Sequence, residues 1–201
     1  MTCKLGTYLP AVIVAMATFS ASLLCAQTAA VSNGHETTVS PSWKFGTEID
    51  VLPYVMNGYY ASAFVARDAW RFRGVAARSD TPSFLVTDGF EKKRTDAYAL
   101  LVDRFIGHNR NRLQGLWIGG GAELWRSRIR QDGTSDFARY NNAVLTAGGG
   151  YVWKLSNHFY VNPWSAIHVV AAGNRRINVS GRTYEQARLT PEASVKFGII
   201  F

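Results

Sequence analysis

Four histidines and two cysteines are the residues best suited to chemistry in this chain, and their spacing excludes most of it. An activated hydroxyl needs an imidazole within hydrogen-bond reach and a carboxylate to orient the ring. The histidines read His35-Glu-Thr, His108-Asn-Arg, His158-Phe-Tyr and His168-Val-Val. Ser165 is near His168 in sequence, but three residues apart on a strand places the two on opposite faces. His168 is therefore expected as an inward polar residue with a hydrogen-bond partner. No His pair has the i, i+4 or short strand spacing of a metal site. Cys3 and Cys25 both fall within the first 26 residues, and removal of that segment leaves no thiol for a zinc or nucleophile site. The glycines at 119–121 and 148–150 have no following helix or GK[ST], so close packing of strands explains them better than a phosphate loop. Asn178-Val179-Ser180 matches a glycosylation sequon, to which no role is assigned. No catalytic residue, cofactor or metal ligand is assigned.

The N-terminus reads as an export signal. Lys4 gives a positive start, residues 9–24 are almost wholly apolar or small, and Ala26, Ala29 and Ala30 offer cleavage points. A lipidated Cys25 is the alternative, although Leu24 before it is larger than that modification normally accepts. The expected organisation is a cleaved signal over 1–30 with its cut between about 26 and 30, a polar leader over 31–42, and one folded unit over 43–201.

A chain of 201 residues suits one domain. Outside the N-terminus there is no run of 18 apolar residues, as a membrane helix would need. The net charge of +8 is spread over many short segments and forms no single helical face, which suits anionic lipid at least as well as nucleic acid.

After residue 42 the sequence breaks into segments of about ten residues with period-2 character, separated by turn chemistry. Strands are expected over 43–52, 59–67, 70–78, 94–105, 116–129, 142–154, 159–171 and 190–201, with long polar loops over 79–93, 130–139 and 172–188. The faces of the second strand are left unassigned. Eight strands predict an all-β, eight-stranded, antiparallel, up-and-down transmembrane β-barrel. With the first strand running outward, the links near Asp68, Gly107 and Ser156 are short periplasmic turns. Trp43, Trp70, Phe105, Trp117, Trp153, Phe159 and Phe201 then gather at one end as an interface girdle of amphipathic rings.

The last strand alternates Ala193, Val195, Phe197, Ile199 and Phe201 with Glu192, Ser194, Lys196, Gly198 and Ile200. It resembles the closing strand of bacterial outer-membrane barrels. That resemblance implies that Val195, Phe197, Ile199 and Phe201 are read by the barrel-assembly machinery. Over roughly 43–201 the architecture resembles the small eight-stranded group that includes the OmpA transmembrane domain, OmpX, OmpW and the lipid A deacylase PagL. Deacylases of the PagL kind use a His-x-Ser pair, which is not found here.

Phased apolar-out, the strands turn Lys44, Glu48, Asp50, Arg71, Arg73, Asp103, Glu123, Glu192 and Lys196 inward. Charges inside so narrow a barrel must pair, which predicts a salt-bridged plug. Arg126, Arg128, Arg130 and Arg139 cluster at one outer hairpin, and Arg175, Arg176, Arg182 and Arg188 at another. Arg126, Arg128, Arg130, Arg175 and Arg176 are candidate contacts for lipopolysaccharide phosphates. The expected protein is a monomeric barrel of the Gram-negative outer membrane with a structural or surface-interaction role. Its partners are lipid, lipopolysaccharide and the assembly machinery, with no nucleic acid. Three alternatives stay open: a narrow solute channel, a lipid A-modifying enzyme, and a soluble lipocalin-like periplasmic barrel with the opposite phasing.

Overall fold

A computed structural model of the chain describes residues 43–83 and 86–201. The expected signal segment, the leader, Cys3, Cys25 and His35 lie outside the described residues. The elements are β1 (Trp43–Asp50), the short helix α1 (Val51–Val55), β2 (Tyr59–Arg67), β3 (Trp70–Thr81), β4 (Phe90–Phe105), β5 (Gly115–Gln131), β6 (Phe137–Lys154), β7 (Phe159–Gly173), β8 (Arg176–Val179), β9 (Arg182–Glu185) and β10 (Leu189–Ile200).

Eight strands close into an antiparallel barrel in the order β1-β10-β7-β6-β5-β4-β3-β2, and β8 and β9 form a separate hairpin. The expected eight-stranded, up-and-down architecture is therefore present. One end of the barrel, called the short-turn end, holds Trp43, Phe201 and the links 68–69, 106–114 and 155–158, of which 106–114 is longer than expected for a turn. The other, called the long-loop end, holds 51–58, 82–89, 132–136 and 174–188. The walls are uneven. β1 and β2 have 8 and 9 residues, whereas β4, β5 and β6 have 16, 17 and 18, so the β4–β6 side rises well above the rest at the long-loop end.

Alternation decides which face each strand shows. On β10, Lys196 and Ile200 are buried while Val195 and Phe197 are exposed. β2 also alternates: Tyr60, Ser62, Phe64 and Ala66 are buried and Tyr59, Ala61 and Ala63 are exposed. Its sequence hid the period because both faces mix aromatic with small residues. Gly198 sits opposite Tyr160 across the β10–β7 pair, and the Tyr160 ring lies on it, so a Cβ there would land in the ring.

Several expected boundaries are corrected. The loop over 79–93 contracts to 82–89, and that over 130–139 to 132–136, because the ladders continue through polar residues. The first strand ends at Asp50, whose carboxylate accepts a hydrogen bond from the Leu52 amide (3.1 Å) and caps α1. The last loop contains the β8–β9 hairpin, turned through Ser180 (φ 46°) and Gly181 (φ 84°), the pair of left-handed residues that a tight two-residue turn requires. Ile177, Val179 and Tyr184 of this hairpin bury against Phe90, Ile129 and Tyr140, forming an apolar cap at the long-loop end.

Candidate functional site

Inside the short-turn half of the barrel lies a closed set of charges. Arg71 Nη1 is 2.9 Å from Glu48 Oε1 and Arg71 Nε is 2.8 Å from Asp103 Oδ2. Arg73 reaches the same two carboxylates at 3.3 and 2.7 Å. The register explains the cluster, since Arg71 faces Asp103 directly across β3–β4 and Arg73 is the next inward residue on its strand. Tyr160 Oη donates to Glu48 at 2.8 Å, Asn162 Nδ2 donates to it at 3.2 Å, and Trp117 Nε1 donates to Asn162 at 2.9 Å. Asp50 accepts from Trp164 Nε1 at 2.7 Å and from the Ser194 hydroxyl. Lys196 Nζ sits 3.5 Å from the Trp164 ring centroid. These ionic side chains are almost fully removed from solvent; Glu48, Arg71 and Lys196 are each 1 % exposed.

A second inward cluster lies toward the long-loop end. His168 Nε2 is 2.9 Å from Glu192 Oε2, and Nδ1 is 2.8 Å from Thr146 Oγ1 and 3.2 Å from Glu123 Oε1. Thr146 on β6 faces His168 on β7, so hydroxyl, imidazole and carboxylate line up across three neighbouring strands. Sequence reasoning missed this set because its members are far apart in the chain. The order resembles an acyl-transfer triad, but the Thr146 hydroxyl donates to Glu123 at 2.5 Å. His168 Nδ1 must then donate to Thr146, so the ring holds the hydroxyl in place and has no lone pair facing it to take its proton. His168 is, as expected, an inward polar residue with partners.

The nine predicted inward charges thus fall into separate groups. Glu48, Asp50, Arg71, Arg73, Asp103 and Lys196 form the lower network, Glu123 and Glu192 join His168, and Lys44 lies apart with its Nζ donating to the Asn111 carbonyl at the short-turn end. A single network was expected; the register separates it because Glu123 and Glu192 lie farther along their strands than the arginines.

The expected girdle is also corrected. Trp43, Trp70, Phe159 and Phe201 are exposed on the outer wall at the short-turn end, and Trp153 stands outward beside Tyr151 at 5.1 Å between rings. Phe105 and Trp117 instead face inward, 1 % and 2 % exposed. They pair directly in register and share the face of Asp103, where both rings lie about 5 Å from the Arg71 guanidinium. With Phe64, Leu113, Val152, Tyr160 and Ile200 they form an apolar floor beneath the charges.

The outer wall carries the apolar surface. Leu100 is 76 % exposed, and Phe45, Phe72, Ile118, Leu145, Ile167 and Phe197 are exposed with it around the circumference. Above this band, on the tall β3–β6 side, the outward residues become charged with cations in excess: Arg78, Lys92, Arg94, Arg126, Arg128, Arg130 and Arg139 stand there with Asp80 and Asp96. Arg78, Arg94, Arg126 and Arg128 lie on strands as expected, whereas Lys92, Arg130 and Arg139 were expected in loops and also lie on strands. Arg175 and Arg176 are at the foot of the β8–β9 hairpin, where Arg175 is bound to the Gln186 carbonyl (3.2 Å) and Glu185 (3.5 Å). Burial raises the pKa of the Tyr184 phenol in that cap, and its hydroxyl donates to Gln186. Among the described residues, no group of three or more His, Cys, Asp or Glu could hold a metal ion.

The chain is similar in structure to the N-terminal β-barrel domain of Pseudomonas aeruginosa OprF, with TM-score 0.53, 11% identity, and coverage of 81% of this chain and 100% of that one. The fold is that of the small eight-stranded outer-membrane barrels. Neisserial surface protein A aligns more loosely, with TM-score 0.48, 10% identity, and coverage of 81% and 98%. No family model and no curated protein sequence matches the chain. What this chain shares with the small barrels is therefore strand number and closure, while its interior charges and cationic outer wall are read from its own residues.

Proposed function

We propose that the chain is a monomeric outer-membrane β-barrel of a Gram-negative bacterium, delivered by a cleaved signal peptide, with a structural or surface-interaction role and a closed interior. The observation that carries this reading is its inverted polarity. Two arginines, three carboxylates and a lysine are buried inside, while Leu100, Phe45, Phe72 and Ile118 face outward. In water that arrangement wastes the burial of apolar area and charges the desolvation of ions besides; in a bilayer the outer wall meets hydrocarbon and the inner ions meet one another. The same polarity speaks against a soluble lipocalin-like barrel, which needs the reverse phasing.

The outward rings Trp43, Trp70, Phe159 and Phe201 suit headgroup depth at the periplasmic end, and Val195, Phe197, Ile199 and Phe201 serve as the assembly signal. Lipid and lipopolysaccharide are the partners, with Arg126, Arg128 and Arg130 at the height of the outer headgroups. The interior is plugged twice, by the ion network over its apolar floor and by the apolar cap beneath β8 and β9. Reconstitution into planar bilayers tests the closed barrel: insertion without resolved channels is expected, and steady unitary conductance would instead make it a channel.

A further inference from the structure

On the outer wall, Arg94 of β4 lies directly opposite Arg128 of β5, and Arg128 lies directly opposite Arg139 of β6. In the next row toward the long-loop end, Lys92 lies opposite Arg130, and Arg130 opposite Phe137. Five cations thus occupy a two-by-three patch on three adjacent strands. Like charges placed directly across a sheet are destabilising. Partners are few: Asp80 is shared by Arg94 (2.6 Å) and Lys92 (3.4 Å), and Glu91 takes Arg130 (2.5 Å). Arg128 and Arg139 make no ion pair among the described residues and both stack on Phe137, at 4.0 and 5.4 Å from its ring centre. The patch is concave, with a volume of about 310 Å³ bounded by Lys92, Arg94, Arg128, Arg130, Ser135 and Phe137.

An anion seated in the patch would relieve the repulsion that Asp80 and Glu91 leave uncompensated. Guanidinium forks match phosphate oxygens two at a time, and the Arg128 guanidinium packs on the Phe137 ring. What kind of phosphate follows from the wall below. Along β5 the outward residues descend from Arg128 through Arg126 to Leu124 and Ala122, about 13 Å from Arg128 to Leu124 at about 3.3 Å per residue. There an apolar groove of about 830 Å³ opens between Leu100, Tyr98 and the small outward residues of β2 and β3. Cations above an apolar groove that shares β4 and β5 with them fit an amphiphile. The cationic side is confined to β3–β6; the outward residues of β7 and β10 at that end are Val169, Ala171, Leu189 and Pro191.

We propose that Lys92, Arg94, Arg128, Arg130 and Arg139 form a specific binding site for the phosphate of an outer-leaflet membrane lipid, whose acyl chains lie in the groove below. The proposal rests on the reading of the chain as a membrane barrel. The site fixes the rotational face of the barrel that lipid occupies, and Arg175 and Arg176 take no part in it.

The test is native mass spectrometry of the mature barrel in neutral detergent, titrated with bis-phosphorylated lipid A, its dephosphorylated form and inorganic phosphate. Barrel closure is first checked by the mobility difference of unboiled samples, so a chain that does not insert is distinguished from one that inserts and fails to bind. One lipid A retained per chain is expected, with affinity reduced about 10-fold or more in Arg128→Gln and in Arg94→Gln, the loss of a charge-assisted hydrogen bond. Arg176→Gln should bind as the native chain does. Because Arg128→Gln removes like-charge repulsion, its lipid-free unfolding midpoint in urea should be equal to or higher than the native one. Equal retention of the dephosphorylated lipid, or equal binding by Arg128→Gln, would overturn the site. Displacement of lipid A by millimolar inorganic phosphate would show a free-phosphate site and overturn the lipid assignment.

Discussion

Arg71 and Glu48 meet at 2.9 Å inside the barrel, with both side chains almost wholly out of water. The pair is held from three sides: Asp103 on the same guanidinium, and Tyr160 and Asn162 on the same carboxylate. Removing one partner strands the other charge in a dry interior, which costs about 3–5 kcal/mol. Glu48→Gln is therefore expected to lower stability by about 3 kcal/mol, read as a shift of the urea midpoint in detergent. Tyr160→Phe, which keeps the ring on Gly198, should lose only about 1 kcal/mol.

Leu100 discriminates a lipid-facing wall from a wetted one. In a bilayer, Leu100→Arg near mid-wall should cost about 2–4 kcal/mol in vesicle-folding titrations. On a soluble barrel an exposed substitution of this kind stays within about 0.5 kcal/mol.

Trp117 and Trp70 are both tryptophans at the short-turn end, yet one faces in and the other out. Single-tryptophan variants in vesicles of brominated lipid should show strong quenching of Trp70 and Trp43 and little of Trp117. Comparable quenching of Trp117 would contradict its inward placement.

Gly198 leaves room for the Tyr160 ring. Gly198→Val should displace that ring from Glu48 and destabilise the barrel by about 1–3 kcal/mol through overpacking, measured by the same urea titration.

Alternation made the barrel legible in the sequence wherever the two faces differed in polarity, as on β10 and on β3, where Arg71 and Arg73 alternate with Phe72 and Gly74. It also identified the inward ions one by one. It did not identify their partners, because Glu48 meets Arg71 through barrel closure and register, quantities that no local pattern carries. Trp117 was misplaced because an aromatic at a strand end suits both an outer girdle and an inner floor; its parity with Glu123 was the signal that settles it. The tops of β4, β5 and β6 read as loops because their few inward apolar residues, Phe90, Ala138 and Tyr140, stand among charged neighbours and are covered only by the distant β8–β9 hairpin. The β8–β9 hairpin was hidden because its strands have only four residues each, too few for the alternation of Ile177 and Val179 with Arg176 and Asn178 to stand out.

Cell fractionation followed by electrophoresis of unboiled and boiled samples tests the central claim most directly. The account predicts recovery with the outer membrane and a folded, faster-migrating band that shifts on boiling. Recovery in the soluble periplasmic fraction, with one mobility before and after boiling, would contradict it.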